Sequence, residues 1–202
     1  MGVCTAEEKM NAIYEFDYAV LNGIQSIRCG FLDGFLSFIT HLSDAGWFWI
    51  ALAVIFLCFR RTRKMGAVVA VALIIGLVTV NLGIKPLVGR VRPFENELYA
   101  ALIAVREPLV SVHDASFPSG HTLAAFEGAM GIFLFNKKWG AAALGLAALI
   151  GFSRLYLYVH YFTDVFVGAL LGVLYAVAAY FIVNAVARKY PRLFSGSSDL
   201  VE

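Results

Sequence analysis

This chain has little charge. Lys, Arg, Asp and Glu make up 15% of its 202 residues, against 60% hydrophobic residues, and its mean hydropathy is +0.77. That balance excludes an ordinary water-soluble domain of this length. A formal net charge of +2 is too small to point to nucleic acid as a partner. Cysteine is scarce as well: Cys4, Cys29 and Cys58 are odd in number and widely spaced, so they form neither a disulfide framework nor a metal site. The opening "MGVCTAEEKMNAIYEF" lacks a basic segment followed by an apolar core, so no cleavable signal peptide is expected. The sequence also lacks a phosphate-binding Walker loop, an internal repeat and any His/Cys cluster at metal-ligand spacing.

Long apolar stretches are what remain. They run Gly46–Phe59, Met65–Ile84, Thr122–Phe135, Trp139–Phe152 and Val165–Ala187. A helix needs about 20 residues to cross the hydrocarbon core. The second and fifth stretches reach that length; the others must extend into polar neighbours, which implies a polar pocket let into one side of the membrane. The expected fold is an all-α, polytopic transmembrane helical bundle with five clear spans. Asn11–Ala45 mixes apolar residues at helical spacing with Glu15, Asp17, Asn22, Arg28, Asp33 and Asp44. It reads as amphipathic helices or a sixth span. A single domain is expected over 1–202, with amphipathic N-terminal helices in 1–45, a transmembrane core in 46–187 and a cytoplasmic tail in 188–202.

Orientation follows from the basic residues. Arg60, Arg61, Arg63 and Lys64, then Lys137 and Lys138, then Arg188, Lys189 and Arg192 fall on one side if each stretch crosses once. The positive-inside rule makes that side cytoplasmic. The segments 85–119 and 153–164 then face the extracytoplasmic side, and both carry basic residues there.

Those outer segments hold three polar clusters. "KPLVGRVRP" contains Lys85 and Arg92; "PSGH" is Pro118–His121; "SRLYLYVHYFTD" holds Ser153, Arg154, His160 and Asp164. Lys85, Arg92 and Arg154 have no paired carboxylates within these motifs. A guanidinium fork matches phosphate oxygens, and lysine adds a point charge. Ser119 and Gly120 open a helix, where free N–H groups and the helix dipole favour an anion and glycine permits close approach. His160 and Asp164 are spaced i,i+4, so on a helix they share a face. A carboxylate on one ring nitrogen fixes the tautomer and leaves the other nitrogen to attack. His121 is then a second histidine at the same anion site, able to protonate a leaving oxygen. The set spells phosphoryl transfer through a phosphohistidine, with basic side chains stabilising the charge. No metal and no cofactor is required.

Other residues read more plainly. Glu127 lies within a span, where an acid warrants a functional hypothesis, but packing against Asn81 or a backbone donor is the expectation. His113–Asp114 reads as solvated loop and His41 as interfacial. Tyr156, Tyr158, Tyr161, Trp47 and Trp49 fit an aromatic belt.

The three clusters, Lys-x6-Arg-Pro, Pro-Ser-Gly-His and Ser-Arg-x5-His-x3-Asp, resemble the signature motifs of the type 2 phosphatidate phosphatase superfamily. That group takes in membrane lipid phosphatases, bacterial undecaprenyl pyrophosphate phosphatases and, as soluble relatives, vanadium haloperoxidases. The resemblance implies a helical bundle of about six spans. It implies His160 as nucleophile, Asp164 as its orienting partner and His121 as acid, with Lys85, Arg92, Ser119, Gly120 and Arg154 binding phosphate. The short chain and compact outer loop resemble the small bacterial members, so undecaprenyl pyrophosphate is the favoured substrate, with phosphatidate and phosphatidylglycerophosphate as alternatives. The contrasting expectation is a lipid-binding or transport protein with an inactive site. The partners expected are a membrane lipid and the bilayer; oligomeric state is left open.

Overall fold

The structure is a computed structural model that describes residues 6–105, 107–110, 112 and 114–194. Its helices are α1 (Ala6–Gln25), α2 (Gly30–His41), α3 (Trp47–Cys58), α4 (Arg63–Gly76), α5 (Lys85–Val88), α6 (Gly120–Phe133), α7 (Lys137–Tyr156) and α8 (Phe162–Lys189). Among the described residues there is no strand. Each apolar stretch of the sequence falls on a helix, as an all-helical bundle requires. Among the described residues, three helical runs are long and apolar enough to cross a membrane, those starting at Arg63, Lys137 and Phe162; there are four if α2 and α3, bent by 41° at their junction, count as one.

Between α4 and α5 the helix continues as a π-helical stretch, Leu77–Ile84. Two local causes are visible. Thr79 Oγ1 donates back to the Ile75 carbonyl at 2.7 Å, a bond that competes with the helical ladder. Pro86 has no N–H to give to the turn before it. Wider turns of this kind mark functional segments, and this one delivers Lys85 to the site. Gly89, at φ 57°, then ends α5 in the left-handed conformation.

α6 sits at the centre, packed by α4, α7 and α8. Gly168 and Gly172, four residues apart on α8, permit the closest approach. A Cβ at Gly168 would lie 2.8 Å from the Ser119 carbonyl oxygen, and one at Gly172 would lie 2.7 Å from that of Leu123. Small residues at this spacing let two backbones meet where no hydrophobic drive separates helix from lipid.

The N-terminal helices do more than lie at an interface. α1 buries Asp17, Tyr18 and Leu21 completely or nearly so. Tyr158, Tyr161 and Tyr156 pack beneath α1 and α2 rather than in an aromatic belt, and they too are buried. Their hydroxyls find partners there: Tyr158 donates to Asn22 Oδ1 and Tyr156 to Asp33 Oδ1, each at 2.7 Å. Trp49 is likewise core, seated against α6, whereas Trp47 is half exposed. Periodicity alone could not separate an interfacial tyrosine from one roofed by another helix.

Candidate active site

The turn between α7 and α8 sets the position of His160. Tyr158 takes a left-handed conformation, φ 61°, and the Val159 N–H returns to the Arg154 carbonyl at 3.2 Å. The His160 ring is thereby tucked inside, 1% exposed. Asp164 lies in the first turn of α8 and caps it, accepting from the Tyr161 N–H at 3.0 Å. The pair is therefore not two residues on one helical face, as its spacing suggested, because His160 precedes the helix. Asp164 Oδ2 stands 3.5 Å from His160 Nδ1. Ser116 closes that gap: its hydroxyl donates to Asp164 Oδ2 at 2.5 Å and lies 3.4 Å from Nδ1.

On the other side of the ring, Arg92 Nη1 is 3.4 Å from His160 Nε2. Burial, and then the positive charges of Arg92, Arg154, Lys85 and His121, hold the His160 imidazole well below its usual pKa. It is a neutral ring at neutral pH. The tautomer that offers Nδ1–H towards Asp164 leaves a lone pair on Nε2, beside the cations.

Asp164 has a second tether that the sequence reading passed over. Arg90 Nη1 reaches Asp164 Oδ1 at 2.5 Å and Thr163 Oγ1 at 2.7 Å, while its Nη2 reaches Asp17 Oδ2 at 2.8 Å. The guanidinium also lies over the Tyr161 ring, 3.8 Å from its centroid. Arg90 thus ties α1 to the start of α8 and holds the carboxylate that faces His160. Its position inside "KPLVGRVRP" was the available signal; its partner Asp17, one of several acids on an amphipathic helix, gave none.

The cations come together, but two are not unpaired. Asp114 lies between Lys85 and Arg92: its Oδ2 pairs with Lys85 Nζ and its Oδ1 accepts from Arg92 Nη2 at 2.5 Å. Burial alone would raise the Asp114 pKa, but Lys85 and Arg92 outweigh it and hold the carboxyl well below the usual range. A carboxylate thus occupies the place where two motif cations converge: Asp114 is exposed, as its loop context suggested, with its side chain 59% accessible, but it is also paired to both cations. Its neighbour His113 lies outside the described residues. Arg92 also donates to the Val159 carbonyl at 2.6 Å, fixing it against the His160 turn.

Arg154 differs from both. It is 2% exposed, and Nη1 donates to Thr40 Oγ1 at 2.7 Å. Its Nε and Nη2 have no hydrogen-bond partner among the described residues. A buried guanidinium in this state carries a large desolvation cost unless an anion joins it.

Ser119 caps α6 with its side chain, bonded to Thr122, and its N–H donates to the Asp164 carbonyl at 3.1 Å. It ties α6 to α8. Gly120 follows, near Lys85: a Cβ there would sit 3.7 Å from Nζ. His121 turns outward from the interior pair. Its Nε2 is 2.7 Å from Asp44 Oδ1, and its carbonyl accepts from Ser43 Oγ at 3.0 Å.

A cavity of about 570 Å³ opens beside this cluster. Lys85, Asp114, Gly120 and His121 line one part of it; Ile50, Val54, Leu73, Ile74 and Leu77, from α3, α4 and the π-helical stretch, line the remainder. Glu127 and Asn81 line it too. Glu127 is 1% exposed, and its Oε1 has no hydrogen-bond partner among the described residues, so the expected pairing with Asn81 is not made through that oxygen.

Known proteins resemble this chain in sequence and in fold. A model of the PAP2 superfamily matches residues 63–188. An undecaprenyl-diphosphatase of Sulfolobus acidocaldarius is 34% identical over 145 residues, 70% of this chain and 66% of that protein. This chain therefore spans just under two thirds of that relative's length. Phosphatidylglycerophosphatase B of Bacillus subtilis is 30% identical over 194 residues, 90% of this chain and 88% of its own. Among solved structures, the crystal structure of Aquifex aeolicus LpxE superposes with a TM-score of 0.70 at 28% identity, covering 81% of this chain and 94% of that one.

Proposed function

The chain belongs to the PAP2 superfamily, and from that premise we propose that it is an integral membrane phosphatase acting on a lipid phosphate or diphosphate through a phosphohistidine. The observation that carries the reading is the cavity. One part is lined by the Lys85 cation and two residues at the start of α6, the other by apolar side chains of α3, α4 and the π-helical stretch. A ligand matching both has a phosphate at one end and a hydrocarbon chain at the other. The two open donors of Arg154 support the same reading, since they want an anion.

In this mechanism the terminal phosphate displaces Asp114 from Lys85 and Arg92 and takes up Arg154. His160 Nε2 attacks phosphorus. The bond to the lipid oxygen breaks, its electron pair stays on that oxygen, and His121 supplies the proton. Water then attacks the phosphohistidine, His121 accepts the water proton, and the P–N electron pair returns to His160. Lys85, Arg92 and Arg154 hold the equatorial oxygens, so no metal is needed. Gly120 admits the phosphate to the start of α6, and Ser119 holds that helix end against Asp164. Undecaprenyl diphosphate is the favoured substrate, because it combines a diphosphate with a purely apolar tail and because the archaeal relative is named for it.

The test is phosphate release by detergent-purified protein from undecaprenyl diphosphate, undecaprenyl phosphate, phosphatidate and phosphatidylglycerophosphate, each with and without EDTA. The polyprenyl diphosphate should turn over fastest, EDTA should change nothing, and vanadate should inhibit. A preference for a glycerolipid would overturn the substrate; activity lost to EDTA and restored by Mg²⁺ would overturn the metal-free scheme.

We further propose that the site faces the extracytoplasmic side of the cell membrane. The nine Lys and Arg residues at positions 60–64, 137–138 and 188–192 support this. A single cysteine at Phe94, with Cys4, Cys29 and Cys58 removed, should react with an impermeant thiol reagent in intact cells. Reaction only after lysis would reverse the orientation.

A further inference from the structure

His121 has a carboxylate of its own, and it comes from outside the three motifs. Asp44 lies at the break between α2 and α3. Its Oδ1 is 2.7 Å from His121 Nε2 and its Oδ2 is 2.6 Å from His41 Nδ1. The turn that presents it is strained: Ala45, a non-glycine, sits at φ 49°, and Gly46 follows at φ 70°. Left-handed conformations at residues other than glycine cost energy and persist where surrounding structure enforces them, commonly at functional sites. Ser43, one residue before Asp44, donates to the His121 carbonyl. Two consecutive residues of this turn therefore hold one histidine.

We propose that Asp44 is the positioning carboxylate of His121, the counterpart for the acid of what Asp164 is for the nucleophile. The inference rests on the reading of His121 as general acid. With Nε2 bonded to Asp44, the other ring nitrogen, Nδ1, is left to face the cavity that His121 lines with Lys85 and Gly120. His121 must be an imidazolium to protonate the leaving oxygen. Burial, then the cations Arg154 and Lys85, oppose that charge; the Asp44 carboxylate works against all three. The proton balance also assigns His41. In the first step Nδ1–H passes to the lipid oxygen as the P–O bond breaks. In the second, Nδ1 recovers a proton from the attacking water as the P–N bond breaks. The cycle closes on His121 alone, so His41 is not a proton relay. It braces the second carboxylate oxygen.

This separates leaving groups. An alkoxide, whose conjugate acid resembles water at roughly 15.7, needs the proton; a phosphate leaving group, with a second pKa of about 6, departs tolerably without it. Asp44→Asn keeps an oxygen to accept from Nε2–H but removes the charge. It should cut kcat/KM for a lipid monophosphate by about 10–100-fold, the worth of one charge-assisted hydrogen bond, while changing the matched diphosphate and an aryl phosphate by about threefold or less. Asp44→Glu should recover part of the loss. In a His121→Ala background Asp44→Asn should add nothing further. Equal losses on all three substrates would make Asp44 a structural or phosphate-pocket residue and overturn the inference, as would no loss on any. The reading beneath it fails separately: it falls if His121→Ala lowers kcat/KM, which reports only the steps up to departure of the lipid and not the shared water step, equally for all three substrates.

Discussion

The two histidines of the proposed site each face a carboxylate, and the two pairs are built differently. His160 and Asp164 are both buried to within 1% of complete exclusion from solvent. The carboxylate there is held by Ser116, Arg90 and the Tyr161 N–H. His121, which lines the cavity, and Asp44 are more open, with side chains 21% and 49% exposed. Only one strained turn and His41 hold that carboxylate. In the proposed mechanism the contrast has a physical reason. A nucleophile must stay neutral and aimed, so its surroundings disfavour the imidazolium and fix the ring. An acid must gain and lose charge in every turnover, so it stands where water reaches it and where its carboxylate is partly screened.

Replacing the two rings in turn is the hardest blow to this comparison. His160→Ala should lower turnover by at least about 10³-fold on every substrate, as loss of a nucleophile does, with the protein still monodisperse in detergent. Near-normal rates in that variant would end the nucleophile assignment. A smaller effect sharpens the interior pair. Ser116→Ala removes the donor that bridges Asp164 and His160, and a buried hydrogen bond to a charged group is worth about 1.5–3 kcal/mol. Activity should fall by about 10–100-fold, equally for mono- and diphosphates, because orientation of the nucleophile serves both. A loss confined to monophosphates would place Ser116 with the acid instead.

Much of this was legible in the sequence. Apolar stretches fell on helices because a chain in hydrocarbon must satisfy its backbone hydrogen bonds within itself. Lys85, Arg92, His121, Arg154, His160 and Asp164 stood out as polar residues at the ends of greasy segments, and the structure gathers them at one end of the bundle. What could not be read is everything that depends on contacts between distant segments. Asp44 meets His121 across 77 positions, Arg154 meets Thr40 across 114, and Arg90 meets Asp17 across 73. No periodicity encodes such pairs. The i,i+4 spacing of His160 and Asp164 suggested a helical face, whereas the turn and the helix cap place them. Asp114 could not be seen as a partner of Lys85 and Arg92 because its loop has no regular pattern.

The claim on which all else depends is that phosphorus is bound to His160 partway through the reaction. The direct measurement is rapid quench of the protein with a lipid diphosphate labelled in its terminal phosphate. His121→Ala should be used beside the parent, since it also slows the water step and lets the intermediate accumulate. Label should appear on the protein, survive alkali, be lost in acid, map to His160, and be absent from His160→Ala. Phosphate release with no labelled protein at any time, or an alkali-labile adduct on another residue, would contradict the account.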